Sequence, residues 1–186
     1  KLGDKQGQGS SLMGIGSIFS VKYDDFDTAL EYYNRSLKLR EELDDKTGIA
    51  RTLNSLGIIY KRKGEYDKAL EYYSSSLKIR EEINDKWGIA NSFSNIGNIY
   101  SEKCEFNKAG EYHRRSLTIR EEIGNKSDLT SSLLNIGTHY LSICNHNEAL
   151  KYYNRSLKIC EEIDDKEGLV LNLNNIGDVY CEQGDY

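Results

Sequence analysis

The hydrophobic positions of this chain follow a helical rhythm that restarts about every twenty residues. In residues 48–63, Ile49, Leu53, Leu56, Gly57 and Tyr60 fall on one helical face. Gly64 ends the pattern, as a glycine just past a helix C-terminus does. Asp67 reads as the N-cap of a second helix, with Glu71 in its first turn. That helix turns Ala69, Leu70, Tyr73, Leu77 and Ile83 inward, and Lys78 and Glu82 form an i,i+4 pair outside. Asn84-Asp85-Lys86 closes it and opens the next helix. A few turn residues separate the helices, so neighbours run antiparallel.

The pattern is an internal repeat. KALEYYSSSLKIREEINDK at 68–86 recurs at 28–46, 108–126 and 148–166, an interval of 40 residues. Between these copies lie LNSLGIIY at 53–60 and its relatives at 93–100, 133–140 and 173–180. The first such block, LMGIGSIF at 12–19, is offset by 41, the extra residue falling in the turn SVKYDDF. The expected organisation is four complete units, 6–46, 47–86, 87–126 and 127–166. Residues 167–186 would be the first helix of a fifth unit, and residues 1–5 the end of a preceding one. Both ends therefore read as cut from a longer array. One hairpin cannot bury its apolar face alone, but stacked hairpins can. Gly16, Gly57, Gly97, Gly137 and Gly177 share one position of the first helix, and Ala29, Ala69, Ala109 and Ala149 one position of the second. Glycine inside a helix costs about 1 kcal/mol against alanine, so five in register point to a close contact that excludes a Cβ.

The residues resemble the tetratricopeptide repeat over essentially the whole chain. The pattern N-x-G-x-x-Y…G-x-[YF]-x-x-A…Y stands here as Asn95, Gly97, Tyr100, Phe106, Ala109 and the aromatic slot of Tyr73. Two departures narrow the subclass. The usual unit has about 34 residues, often with a proline after its second helix. Here the unit is 40 and the chain has no proline. This is similar to the long-unit arrays of kinesin light chains, spindle-orientation scaffolds and Rap-type signalling proteins. The resemblance implies an all-α fold, an α-solenoid of antiparallel helix pairs wound into a right-handed superhelix. Its first helices (A) would line the concave wall, with the second (B) outside.

Composition fits a globular chain: 38% of residues are hydrophobic and 30% charged. Net charge is −5 with the signs interspersed, so no basic footprint for nucleic acid appears. No apolar stretch is long enough for a membrane helix, and no signal peptide is visible. The four cysteines form no CxxC pair and read as reduced thiols, which places the protein in the cytoplasm.

The concave-wall positions offer a candidate site. Asn91, Asn95, Asn98 and Glu102 form one stripe opposite the core face. Its equivalents are Arg51, Ser55, Ile58 and Arg62 in the second unit, and Ser131, Asn135, Thr138 and Ser142 in the fourth. In the fifth they are Leu171, Asn175, Asp178 and Glu182. Asn54 and Asn174 lie beside it. An Asn amide donates and accepts, so it can pair with both backbone groups of an extended peptide. The expected partner-binding residues are Arg51, Asn54, Asn91, Asn95, Asn98, Asn135, Thr138, Asn174, Asn175 and Asp178.

Catalytic signals are weak. His113 takes a core tyrosine's place and His146 the place of Tyr66 and Phe106, both packing slots. His139, Cys144 and His146 lack a fourth metal ligand. Glu81-Glu82 faces outward with no cleft, and GIGS at 14–17 lies within a helix rather than after a strand. One tyrosine of each Tyr-Tyr pair is expected in the core, the other in packing between repeats. The expected function is a protein-interaction scaffold that binds a peptide or helix of a partner protein, with no enzyme activity, cofactor or metal. Two alternatives are a sensory or regulatory segment of a larger signalling protein and a self-assembling array that associates end to end.

Overall fold

The computed structural model describes residues 2–184, and every regular element among them is an α-helix. In chain order these are α1 (Leu2–Lys22), α2 (Phe26–Glu42), α3 (Lys46–Arg62), α4 (Tyr66–Glu82), α5 (Lys86–Glu102), α6 (Phe106–Ile123), α7 (Lys126–Ser142), α8 (His146–Glu162) and α9 (Lys166–Gln183). They group into two compact units, residues 1–92 and 93–186, the division falling inside α5. In the first unit α1 packs on α2, α2 on α3 and α3 on α4, and α1 also touches α3. In the second α6 packs on α7, α7 on α8 and α8 on α9, and α7 also touches α9. Thus α1 adjoins α3 in the first unit and α7 adjoins α9 in the second, A helix against A helix, with the B helices packed beside them. Residues 2–5 are helical and belong to α1, while residues 1, 185 and 186 lie outside the described set.

Turn chemistry explains the boundaries. A left-handed residue recurs every twenty positions, at Asp24, Asp44, Gly64, Asn84, Cys104, Gly124, Cys144, Asp164 and Gly184. Behind most of these turns the backbone folds back on the helix just ended, as where Glu65 N–H donates to Tyr60 O and Asp85 N–H to Arg80 O, both at 2.9 Å. In the first turn Asp25 N–H reaches Phe19 O, one residue further back, which is where the 41-residue offset is absorbed. Asp45, Asp85 and Asp165 then cap the A helices by accepting from the N–H groups of Gly48, Gly88 and Gly168. The B-helix cap differs from the sequence reading. Asp67 already has helical backbone, and Glu65 is the N-cap, without a side-chain bond.

The in-register glycines meet an aromatic ring. A Cβ on Gly57 would lie 2.6 Å from the Tyr73 ring, and one on Gly137 2.4 Å from Tyr153. Gly16 faces Tyr33 and Gly97 faces His113 in the same way, whereas Gly177 has no atom within 4 Å of its Cβ position. The ring lies against the partner helix's backbone, and burying a side chain of that size contributes on the order of 2 kcal/mol. The other member of each tyrosine pair stacks within its own hairpin, not between repeats. Tyr72 lies 5.2 Å from Tyr60, and Tyr152 5.5 Å from Tyr140, nearly parallel.

The B-helix core stripe is more polar than its sequence reading. Ala69, Tyr73, Ser76 and Arg80 are buried, whereas Leu70, Leu77 and Ile83 are half-buried. Ser36 and Ser76 donate to the carbonyls of Gly9 and Ala50, both at 2.8 Å. Arg40 pairs with Asp45 at 3.2 Å, Arg80 donates to Gly88 O and Arg120 to Asp128 O. The guanidinium thus ties each of the first three B helices to the start of the next A helix. Lys78 is not the partner of Glu82, which instead pairs with Lys46 at 3.2 Å, across the hairpin.

Candidate functional site

In the first unit Arg51 is exposed on α3, while Asn54 on α3 and Asn91 on α5 are half-buried and already engage neighbours. Arg51 borders a cleft of about 410 Å³. Gln6, Gly7 and Ser10 of α1 line it on one side, Thr47, Gly48 and Arg51 of α3 on the other, and Arg40 and Asp45 at the base. Two guanidiniums face one carboxylate, so the lining keeps a net positive charge. The Arg40 side chain is 9% exposed and held by Asp45 and by Ser36 Oγ at 3.2 Å, so it is fixed rather than mobile. Such a cleft suits a carboxylate, which a guanidinium fork can bind in two-point fashion.

The sequence stripe found Arg51 here but not Gln6, Arg40, Asp45 or Thr47. A signal for Arg40 existed. Ala29, Tyr33, Ser36 and Arg40 are spaced i, i+4, i+7, i+11, the same stripe that carries the core.

In the second unit Asn95 and Asn98 are half-buried on α5, flanking Gly97, and Asn95 engages neighbours of its own. On α7, Asn135 is half-buried and Thr138 exposed, and Thr138 Oγ1 accepts from the Tyr153 hydroxyl at 3.1 Å. On α9, Asn174 and Asp178 are exposed and Asn175 half-buried. Because α7 and α9 touch, the residues of these two helices belong to adjoining elements. Near the turns, Glu182 pairs with His146 Nε2 at 3.2 Å. A second cleft, of about 430 Å³, is lined by Cys104, Glu105, Phe106, Asn107, Lys108 and Ile143. It contains none of the stripe residues.

His113 is 3% exposed and His139 7%. Burial, and then the charge of neighbouring His139, pushes the His113 imidazole down to about 4. Burial and then Arg114 push His139 down as well. Among the described residues no group of three or more metal-ligating side chains comes together, and no helix is long and apolar enough to cross a membrane. Cys104, Cys144, Cys160 and Cys181 are all free thiols.

An all-helical array of paired helices with a glycine–aromatic contact in each complete hairpin defines a helical repeat protein. The chain belongs to the tetratricopeptide repeat family, whose model matches residues 8–82, 88–162 and 128–186. No curated protein matches its sequence. Among solved structures it is similar to BtubC (BKLC) from P. vanneervenii, at 22% identity and a TM-score of 0.81, covering all of this chain and 84% of that one. It is also similar to a Rap protein solved in complex with competence and sporulation factor, at 18% identity and a TM-score of 0.81, covering 96% of this chain. A putative kinesin light chain array from Podosopora anserina matches at 12% identity and a TM-score of 0.76, covering 94% of this chain and 86% of that one. The chain spans only about half the length of the Rap proteins, 54% of RapI and 50% of the complexed one. At these identities the likeness is one of fold.

Proposed function

We propose that the chain is a protein-interaction scaffold that takes an extended peptide or a helix of a partner along its A helices and performs no chemistry of its own. The observation that carries this reading is the cleft between α1 and α3, with Arg51 exposed beside the fixed guanidinium of Arg40. It suits an acidic side chain or a terminal carboxylate. In the second unit Asn95, Asn98, Asn135 and Thr138 supply amide and hydroxyl groups for backbone pairing, and Asn174, Asn175 and Asp178 extend that set. The relative solved with a bound factor supports a ligand-taking surface on this fold.

Each net hydrogen bond is worth about 0.5–1.5 kcal/mol, and ordering costs offset part of the sum. Affinity is therefore expected in the micromolar range, roughly −8 kcal/mol. The test is selection from a displayed random-peptide library on the purified protein, followed by titration of the enriched peptides. Acidic sequences should emerge, and Arg51→Ala should weaken them about 3–10-fold. Asn95→Ala with Asn135→Ala should weaken peptides that contact the second unit by a similar factor. Unchanged binding in all these variants would sink the reading.

End-to-end self-association is a second reading, favoured by α9. Val170, Leu171, Leu173 and Tyr180 are exposed there, and Gly177 is uncovered. Sedimentation that gives the 21.3 kDa monomer mass at every concentration would remove it.

A further inference from the structure

Three departures from the repeat meet at one point of the second unit. His113 stands where the other hairpins have Tyr33, Tyr73 and Tyr153, and Gly110 where they have Leu30, Leu70 and Leu150. His139 stands where other A helices have Ile59, Ile99 and Val179. The three fit one another. A Cβ on Gly110 would lie 2.4 Å from His139 Nε2, so the leucine found elsewhere would exclude that ring. His113 lies against Gly97 as Tyr73 lies against Gly57. Both imidazoles are buried, and the Nδ1 of each has no hydrogen-bond partner. Tyrosine, leucine and isoleucine would fill the same space without an orphaned nitrogen, so packing alone gives no reason for the exchange.

We propose that the His113–His139 pair is an acid-operated latch: proton uptake by the buried rings opens the contact of α6 with α5 and α7 and withdraws the binding residues those A helices carry. Asn95 and Asn98 flank the glycine under His113, and Thr138 precedes His139. The withdrawal of a binding surface rests on the scaffold reading above, whereas the opening stands on the buried rings themselves.

The charges around the pair all act in one direction. Besides burial, the charged groups acting on the rings are His139 on His113 and Arg114 of α6 on His139, and both oppose protonation. Tyr140 of α7 contacts His139 by its ring, at 5.3 Å. Among the described residues no carboxylate of α5, α7 or α8 is hydrogen-bonded or ion-paired to either ring. His146, the remaining histidine, lies at the start of α8 and pairs with Glu182. With His113 held near 4 in the closed state against 6.5 when released, closure is favoured above pH 6.5 and loses ground as pH falls. Between pH 7.5 and 5 the opening equilibrium rises about 30-fold through His113 alone. His139 adds to it in the same direction.

The test is hydrogen exchange of the full chain between pH 7.5 and 5, corrected for intrinsic rates. Helices α1–α4 contain no histidine and serve as the internal reference. Amides of α6 and α7 should lose about 30-fold or more of their protection relative to that reference. His113→Tyr, and Gly110→Leu combined with His139→Ile, restore residues the other repeats carry. They should fold normally by circular dichroism and flatten the pH response. An equal pH response in wild type and restored variants, or histidine NMR titrations at the ordinary value, would overturn the latch. A library-selected peptide contacting the second unit that binds equally at pH 5 and 7.5, while the interface opens, would overturn the coupling to binding. A selection that yields no peptide counts against the scaffold reading and leaves the exchange result to decide the latch.

Discussion

At the scale of single residues, the turns show which side chains are borrowed from a better choice. Left-handed backbone costs an L-residue roughly 1–2 kcal/mol, a cost that Asn and Asp reduce by local hydrogen bonds and glycine escapes. Asp24, Asp44, Asn84 and Asp164 belong to the first group, Gly64, Gly124 and Gly184 to the second. Cys104 and Cys144, at φ of 58° and 56°, have neither remedy, and both thiols are exposed. Replacing each by glycine should raise stability by about 0.5–1 kcal/mol, after the greater freedom of glycine in the unfolded chain is subtracted. Urea unfolding of Cys104→Gly and Cys144→Gly checks this; an unchanged midpoint in both would show that the backbone relaxes around the cysteines. Glycine's role at Gly57 and Gly137 was legible in the sequence, because five in-register helical glycines have no cheap explanation. The burial of Arg40, Arg80 and Arg120 was not. Their spacing lay on the core stripe, but charge is ordinarily read as exposure. What buries them is a carbonyl or carboxylate at the start of the next helix, brought close only when the turn folds.

Between elements, the fourth hairpin solves the same junction differently. Cys160 stands where the earlier B helices have Arg40, Arg80 and Arg120, and Asn172 where the A helices have Thr52, Ser92 and Ser132. Arg80 donates to Gly88 O and Arg120 to Asp128 O, whereas Asn172 Nδ2 donates to Gly168 O at 2.8 Å. The donor has moved from the B helix to the A helix while the acceptor kept its place. Cys160 is fully buried and its Sγ lies 3.6 Å from Asn172 Nδ2, leaving no room for a longer side chain. Cys160→Arg alone should therefore destabilise the protein by about 1–3 kcal/mol through overpacking. Asn172→Ser alone should cost about 0.5–1.5 kcal/mol by losing that side-chain hydrogen bond, since the Gly168 carbonyl keeps its backbone partner in α9. The double variant restores the arrangement of the third repeat and should recover at least 1 kcal/mol of the summed loss. Additive losses in denaturant unfolding would show that the two positions act independently. Helix boundaries were readable to within about two residues, since turn residues and periodicity agree. The B-helix N-cap was misread because Asp67 is a good capping residue already inside the helix.

For the molecule as a whole, the repeat was the most legible feature, because each hairpin presents the same apolar and small positions to its neighbours. The proposed binding surface was less so. The asparagine stripe follows from helical spacing, but the cleft beside Arg51 draws Gln6, Ser10, Arg40 and Asp45 from different elements that only folding brings together. The acid-sensitive pair was half visible. His113 was read as a packed ring, while the matching exchange at Gly110 shows its purpose only once His139 is seen to occupy the space.

The left-handed residue at every twentieth position governs how such a protein can change length. The joints at Asp44 and Asn84 close alike, with Asp45 N–H on Arg40 O and Asp85 N–H on Arg80 O, so residues 45–84 begin and end at equivalent points of the backbone. Excising them and joining Asp44 to Asp85 would set Arg40 above Gly88 O, an acceptor that already serves Arg80. The shortened chain should fold with unchanged helicity per residue by circular dichroism, whereas removing 45–74 should produce an aggregated or partly unfolded product. Growth and loss by whole hairpins is thus a silent change for this backbone, and the number of hairpins becomes something that duplication and deletion in the gene can tune to the size of a partner.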